Sequence, residues 1–266
     1  MTKRVIVTIT HRTDTINLLS KYLHKQKDSF DEWHVWLNST DVDILEQIQK
    51  LNCHIIQPPT SNPLDKLNNL HIFYKEDSID PNSNYLKIDD DIVWMEPDFI
   101  DKAFIAREKY QKDYFLIYPN IINNAIISTL HMRFGHIPWN DRCWYGFMDP
   151  IGWGNPLFAE NLHRLFLHDI INNSYTNWYF DKWNLDDREQ VSINSILWTG
   201  EDFQKIAPTI TGADEFWINN YGPSFLNKKS IILGNMLCVH YAFHPQKSHL
   251  DNTNILLEYK KLADSV

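Results

Sequence analysis

Apolar and polar positions change period several times along the chain, and each change marks an element. Val5 to Thr10 form a short β-branched run, after which Ile16, Leu19, Tyr22 and Leu23 follow helical spacing with Thr13 placed as the N-cap. Residues 33–37 predict a second strand, ended by Asn38, Ser39 and Thr40. Leu45, Ile48 and Leu51 mark one face of a helix, and His54, Ile55 and Ile56 open a third strand stopped by Pro58 and Pro59. Pro63 suits the first position of a helix, where its missing N–H is harmless, and places Leu64, Leu67 and Leu70 on the buried side. After the polar turn 80–84, the strand 85–88 runs straight into Asp89, Asp90 and Asp91. Beyond Pro97, the positions Phe99, Ile100, Ala103 and Phe104 predict another helix.

Repeated strand–helix units of this length predict an α/β fold with a mostly parallel central sheet flanked by helices. Ligands of such sheets bind at the carboxyl ends of the strands, so Thr10, His11, Arg12, Asn38 and the three aspartates are expected on one rim. The second half is less regular. Residues 114–118 read as a strand, and Phe158, Leu162, Leu165 and Phe166 as a helical stripe. Between them, residues 131–155 are rich in His, Trp and Gly and are expected as loops over the rim. Residues 230–241 form a strongly apolar run ending in His240 and Tyr241. With no repeat or linker, one domain over 1–266 is expected.

Composition narrows the function classes. Hydrophobic residues at 43% and charged residues at 22% are those of a globular protein. A net charge of -9 without a Lys/Arg run argues against a nucleic-acid partner. Cys53, Cys143 and Cys238 lack zinc or redox spacing, and no leader-like or membrane-spanning segment is read, so a cytoplasmic protein is expected, with peripheral membrane contact open. Ten Trp residues can fill a core or offer faces on which sugar rings stack. Trp139, Trp144 and Trp153 are the candidates for stacking.

Carboxylates at a strand end are the hard oxygen ligands that Mg²⁺ or Mn²⁺ prefers, with substrate oxygens and water completing the shell. Alternation along an extended chain would point Asp89 and Asp91 one way and Asp90 the other. A solvated acidic turn is the plain alternative; the spacing and Gly of a calcium loop are absent. Asp214 or Glu215 can take a proton from an attacking hydroxyl, although acidic residues at a helix start also serve as caps. His240, with His244 as its competitor, would bring an imidazole that suits Mn²⁺. Thr10 and Arg12 are candidates for ribose or phosphate, Asn38 for a base edge, and Lys66 or Lys87 for phosphate oxygens or for pairing with the aspartates.

Three segments carry a family resemblance. Residues 85–92, Tyr-Leu-Lys-Ile-Asp-Asp-Asp-Ile, resemble the DxD segment of GT-A glycosyltransferases, particularly bacterial and large-virus enzymes of polysaccharide or glycan synthesis. Residues 212–216 resemble the acidic pair after the acceptor region, with Ala213 where a further Asp often sits. Residues 234–246 resemble the closing strand with its His-aromatic-small-Phe pattern. The resemblance implies a GT-A, Rossmann-like domain in which 1–95 bind a nucleoside diphosphate sugar and 96–266 a glycan or glycolipid acceptor. It implies Asp91 and His240 as metal ligands, Asp89 at the metal or ribose, Asp90 beside the donor, and Asp214 or Glu215 as the base of an inverting transfer. Two rivals stand beside it. Nucleotidyl transfer shares the acidic metal ligands but usually has a Gly-rich basic loop after the first strand, and residues 10–14 contain no Gly. A Trp-rich carbohydrate-binding protein is the non-catalytic alternative.

Overall fold

The computed structural model describes residues 2–57, 70–75, 79–138, 143–186, 189–210 and 214–265. The first half runs β1 (Lys3–Thr10), α1 (Ile16–Lys25), β2 (Glu32–Leu37), α2 (Val42–Ile48), β3 (His54–Ile56), α3 (Leu70–Lys75), β4 (Ser83–Ile88), β5 (Ile92–Met95) and α4 (Phe99–Tyr110). The second runs β6 (Tyr114–Ile122), α5 (Ala125–Arg133), α6 (Pro156–Ile171), β7 (Trp183–Leu185), β8 (Ser195–Thr199), α7 (Gly200–Ile206), α8 (Asp214–Phe216), α9 (Gly222–Leu226), β9 (Lys229–His240), α10 (His244–Leu250) and α11 (Ile255–Ser265). All described strands join one sheet in the order β3-β2-β1-β4-β8-β6-β9-β5, with β7 also paired to β9.

The β3-β2-β1-β4 portion is parallel, as alternating strands and helices require, because each helix returns the chain to the starting edge. Antiparallel partners enter through β8, β5 and β7. β9 pairs parallel with β6. Tracing directions from β4 through antiparallel β8 to β6 and then β9 shows that β1, β4 and β9 all point to one rim. That rim carries Thr10, Ile88 and His240 at its strand ends.

The core lies on both faces of the sheet. Trp36, Trp178 and Trp198 are fully buried, and Trp36 stacks on Phe73 at 5.3 Å, so tryptophan mostly fills the interior here. Helix α1 starts later than its sequence pattern implies. Thr15, not Thr13, occupies the N-cap and makes no side-chain capping bond. The helix expected from Pro63 lies outside the described residues up to Leu70. His131, expected in a loop, sits inside α5, fully buried and bonded to the Asn120 side chain at 2.7 Å. The strands β5, β7 and β8 are additional to the sequence reading; β5 and β8 are short and largely buried and lack the alternation that marks an exposed strand, and β7 is only three residues long.

Gly200 opens α7 against the turn before β4. A Cβ there would stand 1.9 Å from the Asp80 carbonyl oxygen, a backbone atom that cannot rotate away. Gly200→Ala is expected to cost about 3 kcal/mol through forced displacement of the two segments. A urea denaturation midpoint well below that of the unsubstituted protein is the check.

Candidate active site

The acidic triplet is a turn, not a continuation of the strand. The Ile92 N–H donates to the Asp89 carbonyl at 3.1 Å, closing a tight turn between β4 and β5. Alternation therefore fails: Asp89 turns to a cation of its own, while Asp90 and Asp91 share one. Asp89 is paired with the buried Lys87 ammonium, which also donates to the Ile193 carbonyl at 2.8 Å. Asp90 accepts from the Thr10 hydroxyl at 2.7 Å and from Arg12 Nη2 at 2.7 Å. Asp91 accepts from Arg12 Nη2 at 2.8 Å, so one guanidinium spans two aspartates. Thr10 and Arg12 thus meet the triplet, as the common rim requires.

His240 closes the other side. Its Nδ1 lies 3.0 Å from the Asn123 carbonyl and can only donate to it, so Nε2 is the nitrogen that faces Asp91 Oδ2 at 3.6 Å, donating to it when the ring is protonated and offering its lone pair on that side when the ring is neutral. Asn123 holds a left-handed backbone conformation, φ 62°, and its side-chain amide donates to the Tyr241 carbonyl and to Gln246 Oε1, both at 3.0 Å. These bonds fix the carbonyl that orients the imidazole. Phe243 packs on the imidazole at 4.6 Å between ring centres, and Trp153 lies behind Phe243 at 6.4 Å. His244 is exposed at the start of α10, away from this packing.

Burial alone would raise the Asp91 pKa, but His240 and Arg12 outweigh it and hold the carboxyl well below the usual range. Burial would lower that of His240, and the Asp91 charge reverses the shift upward. Asp89 is pushed up to about 6, mainly by burial, against the opposing pull of Lys87.

The acidic pair reaches the same place. Asp214 accepts from the buried Tyr74 hydroxyl at 2.8 Å. Glu215 is half-buried, its Oε1 is enclosed without a hydrogen-bond partner among the described residues, and its pKa is pushed up to about 7 by burial and then by Asp214. Lys87 is the electrostatic link: Asp89, Asp214 and Glu215 all act on it and raise its pKa despite burial. Five carboxyl groups (Asp89, Asp90, Asp91, Asp214 and Glu215) thus share this rim with the two fixed cations Lys87 and Arg12. Such an excess of hard oxygen donors, with an oriented imidazole beside one of them, has the chemistry of a divalent-cation site.

The expected ligand set is only partly assembled. Asp91 and His240 face each other, while Asp89 is turned to Lys87. Among the described residues no group of three His, Cys, Asp or Glu side chains converges to hold a metal. Asn38 lies at the rim, its N–H donating to the Thr10 carbonyl at 2.8 Å, and is buried. Lys66 and Trp139 lie outside the described residues. Trp144 is 69% exposed, and its carbonyl accepts from Thr129 on α5 at 3.4 Å. Tyr74 and Asn123 complete the site and escaped the sequence reading, because only folding brings them to the charged residues; Phe243 was read only as the Phe of the closing-strand pattern, without its packing on His240.

No family model matches the chain, and no curated protein matches it significantly. Solved structures of similar course exist. CMP:2-keto-3-deoxy-manno-octonic acid synthetase complexed with CTP is 7% identical, with 99% of this chain and 100% of that chain covered and a TM-score of 0.49. The 4-diphosphocytidyl-2C-methyl-D-erythritol synthase of Anaerococcus prevotii is 9% identical, with 96% and 98% covered and a TM-score of 0.43. Mannose-1-phosphate geranyltransferase of Thermus thermophilus is 9% identical, with 90% and 76% covered and a TM-score of 0.44. At TM-scores below 0.5 these likenesses say nothing about chemistry, which rests on the residues of the rim. No described helix is long and apolar enough to cross a membrane.

Lys87→Met tests the electrostatic link. Removing one partner of a buried ionic cluster leaves like charges uncompensated, a loss of about 3–5 kcal/mol when all are ionised. The carboxyl pKa values of Asp89 and Glu215 already lie above their unfolded values, so their protonation strengthens the fold as pH falls through about 7 and about 6. The variant is therefore expected to melt far below the unsubstituted protein at pH 8 and to recover most of the difference at pH 5, read by thermal denaturation in EDTA.

Proposed function

We propose that this protein is a metal-dependent glycosyltransferase that moves a sugar from a nucleoside diphosphate sugar to a saccharide hydroxyl with inversion. The observation that carries the reading is the placement of two different devices on one rim. Asp91 and His240 form an oriented oxygen–nitrogen pair, and Glu215 offers a buried carboxyl with a pKa of about 7 and a free oxygen.

Asp91 and His240 would hold Mn²⁺ or Mg²⁺, with donor oxygens and water completing a shell that the protein alone does not fill. A bound divalent cation supplies Lewis-acid stabilisation of the charge on a departing diphosphate. Arg12 is the guanidinium best placed to receive phosphate oxygens in exchange for Asp90 and Asp91. Lys87 keeps Asp89 ionised and sets the potential felt by Glu215. The Glu215 carboxylate would accept the acceptor hydroxyl proton as the acceptor oxygen bonds to the anomeric carbon, and the electron pair of the breaking bond leaves with the nucleoside diphosphate. Tyr74 holds Asp214 in place by its hydroxyl. Asp214 then acts as a neighbour that raises the basicity of Glu215.

Nucleotidyl transfer is the second reading, and Arg12 is what favours it. The loop after β1 lacks glycine yet carries a guanidinium onto the acidic triplet, a position that would also suit the triphosphate of an attacked nucleotide. The two reactions differ in products. Incubation with nucleoside diphosphate sugars and Mn²⁺ should release nucleoside diphosphate in the glycosyltransferase reading. Pyrophosphate release from a nucleoside triphosphate and a sugar phosphate, with no nucleoside diphosphate from any donor, would replace it with nucleotidyl transfer.

A further inference from the structure

Immediately after Glu215 the chain forms an exposed aromatic ridge that the chemistry above does not use. Phe216 and Trp217 are adjacent, Trp217 meets Tyr221 at 5.4 Å, and Tyr221 stacks on Phe225 at 5.4 Å and 21°. Phe216 is 57% and Phe225 51% exposed, and Trp217 and Tyr221 are half-buried. Exposing this much ring surface opposes folding and calls for an occupant. We infer that the ridge is the acceptor track of the site and that the acceptor is an extended oligosaccharide, an inference that rests on the glycosyltransferase reading and names its substrate.

The ridge is rigidly continuous with the candidate base. Asn219, between Trp217 and Tyr221, donates to the Glu215 carbonyl at 2.8 Å and accepts from the Tyr118 hydroxyl at 2.5 Å and from the Val191 N–H at 3.1 Å. Residues Trp217–Tyr221 form a π-helix, a costly conformation that recurs at functional sites. Four-residue spacing sets Trp217, Tyr221 and Phe225 in one file. Two successive ring contacts of 5.4 Å let the file reach up to about 11 Å, room for more than a single sugar ring.

The chemistry of the ridge selects a saccharide. Sugar rings have an apolar C–H face that fits an aromatic plane and a hydroxyl edge that needs polar partners. Asn220, Gln190 and Ser224 line the ridge with such groups; the Asn220 amide reaches Gln190 Oε1 at 3.3 Å, and Ser224 donates to the Asn220 carbonyl at 3.3 Å. A membrane surface would call for free cations along the ridge; residues 214–227 contain Asp214 and Glu215 but no Lys or Arg, and of Lys228 and Lys229, which follow, Lys228 is paired with Asp202 at 2.6 Å.

The test uses the full chain, a panel of cello-, chito-, xylo-, manno- and galacto-oligosaccharides from mono- to hexasaccharide, and anionic phosphatidylglycerol vesicles. Binding is read by tryptophan fluorescence and on a printed array, and Mn²⁺-dependent binding of UDP, GDP, CDP and ADP is measured in parallel. At least one series is expected to bind more tightly with length. Tyr221→Ala and the surface variant Phe225→Ser should each weaken that binding about 10-fold or more, with nucleoside diphosphate binding unchanged. Absence of length-dependent binding to every series, unchanged affinity in both variants, or binding to vesicles instead would overturn the track while leaving the donor site standing. Loss of metal-dependent nucleoside diphosphate binding from the unsubstituted protein would instead overturn the glycosyltransferase reading beneath it.

Discussion

Asp91→Asn is expected to lower sugar transfer about 1,000-fold while leaving the protein folded. The side chain keeps its shape but loses the charge that faces His240 and Arg12. Arg12 retains Asp90, so the loop after β1 stays anchored. His240 retains its bond to the Asn123 carbonyl, so the imidazole stays oriented. Without the Asp91 charge, the His240 pKa falls, because burial then acts unopposed. A structural role would lower stability and activity together. A cation-holding role lowers activity at a nearly unchanged melting temperature, since an electrostatic contact to a developing charge contributes on the order of 10²–10³ in rate. Turnover of donor at saturating Mn²⁺, beside a melting curve, separates the two.

Glu215→Gln carries the second large effect. Loss of a general base lowers kcat by about 10²–10⁴-fold, with little change in donor KM because the carboxyl is directed to the acceptor. The pH profile is diagnostic. For the unsubstituted enzyme kcat/KM should rise with pH through about 7, where Glu215 loses its proton. The Gln variant should show residual activity without that limb. Stability should move the other way. A carboxyl whose folded pKa exceeds its unfolded value stabilises the fold as pH falls, so above pH 7 ionised Glu215 is a burden that Gln removes. The variant is expected to gain about 2 kcal/mol at pH 8 and nothing at pH 4, by denaturation in EDTA. An inactive variant that is also more stable at pH 8 is hard to reconcile with a structural role for Glu215.

The strands and helices legible in the sequence are those whose patterns have one explanation. β1 is β-branched and short, and α6 shows an apolar stripe with Asn155 and Pro156 at its start, so local chemistry and tertiary packing agree. The rim was legible for the same reason, because parallel strands separated by helices must end on one side. β5 was hidden because the acidic turn and the four apolar residues after it read as one motif. The orientation of the three aspartates was equally hidden. Whether the chain turns at Asp89 depends on the end of β9, where the next residue, Tyr241, donates its N–H to the Asp91 carbonyl at 2.9 Å from far along the sequence. His240 was readable as the polar end of an apolar strand, but the carbonyl of Asn123 that fixes its tautomer was not. Trp139, Trp144 and Trp153 are the stacking platforms that the sequence suggests; the exposed ring file of Phe216, Trp217, Tyr221 and Phe225 is an additional aromatic surface, hidden because only the folded segment shows that these rings meet.

The pairing of Asp91 with His240 around one cation is most directly tested by pulsed electron paramagnetic resonance of Mn²⁺ added to the protein with UDP, GDP, CDP or ADP. The expected result is Mn²⁺ retained more tightly with at least one of the nucleotides, its spectrum showing coupling to an imidazole nitrogen that His240→Ala removes and His244→Ala preserves. Mn²⁺ that binds without nitrogen coupling, or that none of the nucleotides helps to retain, would contradict the site.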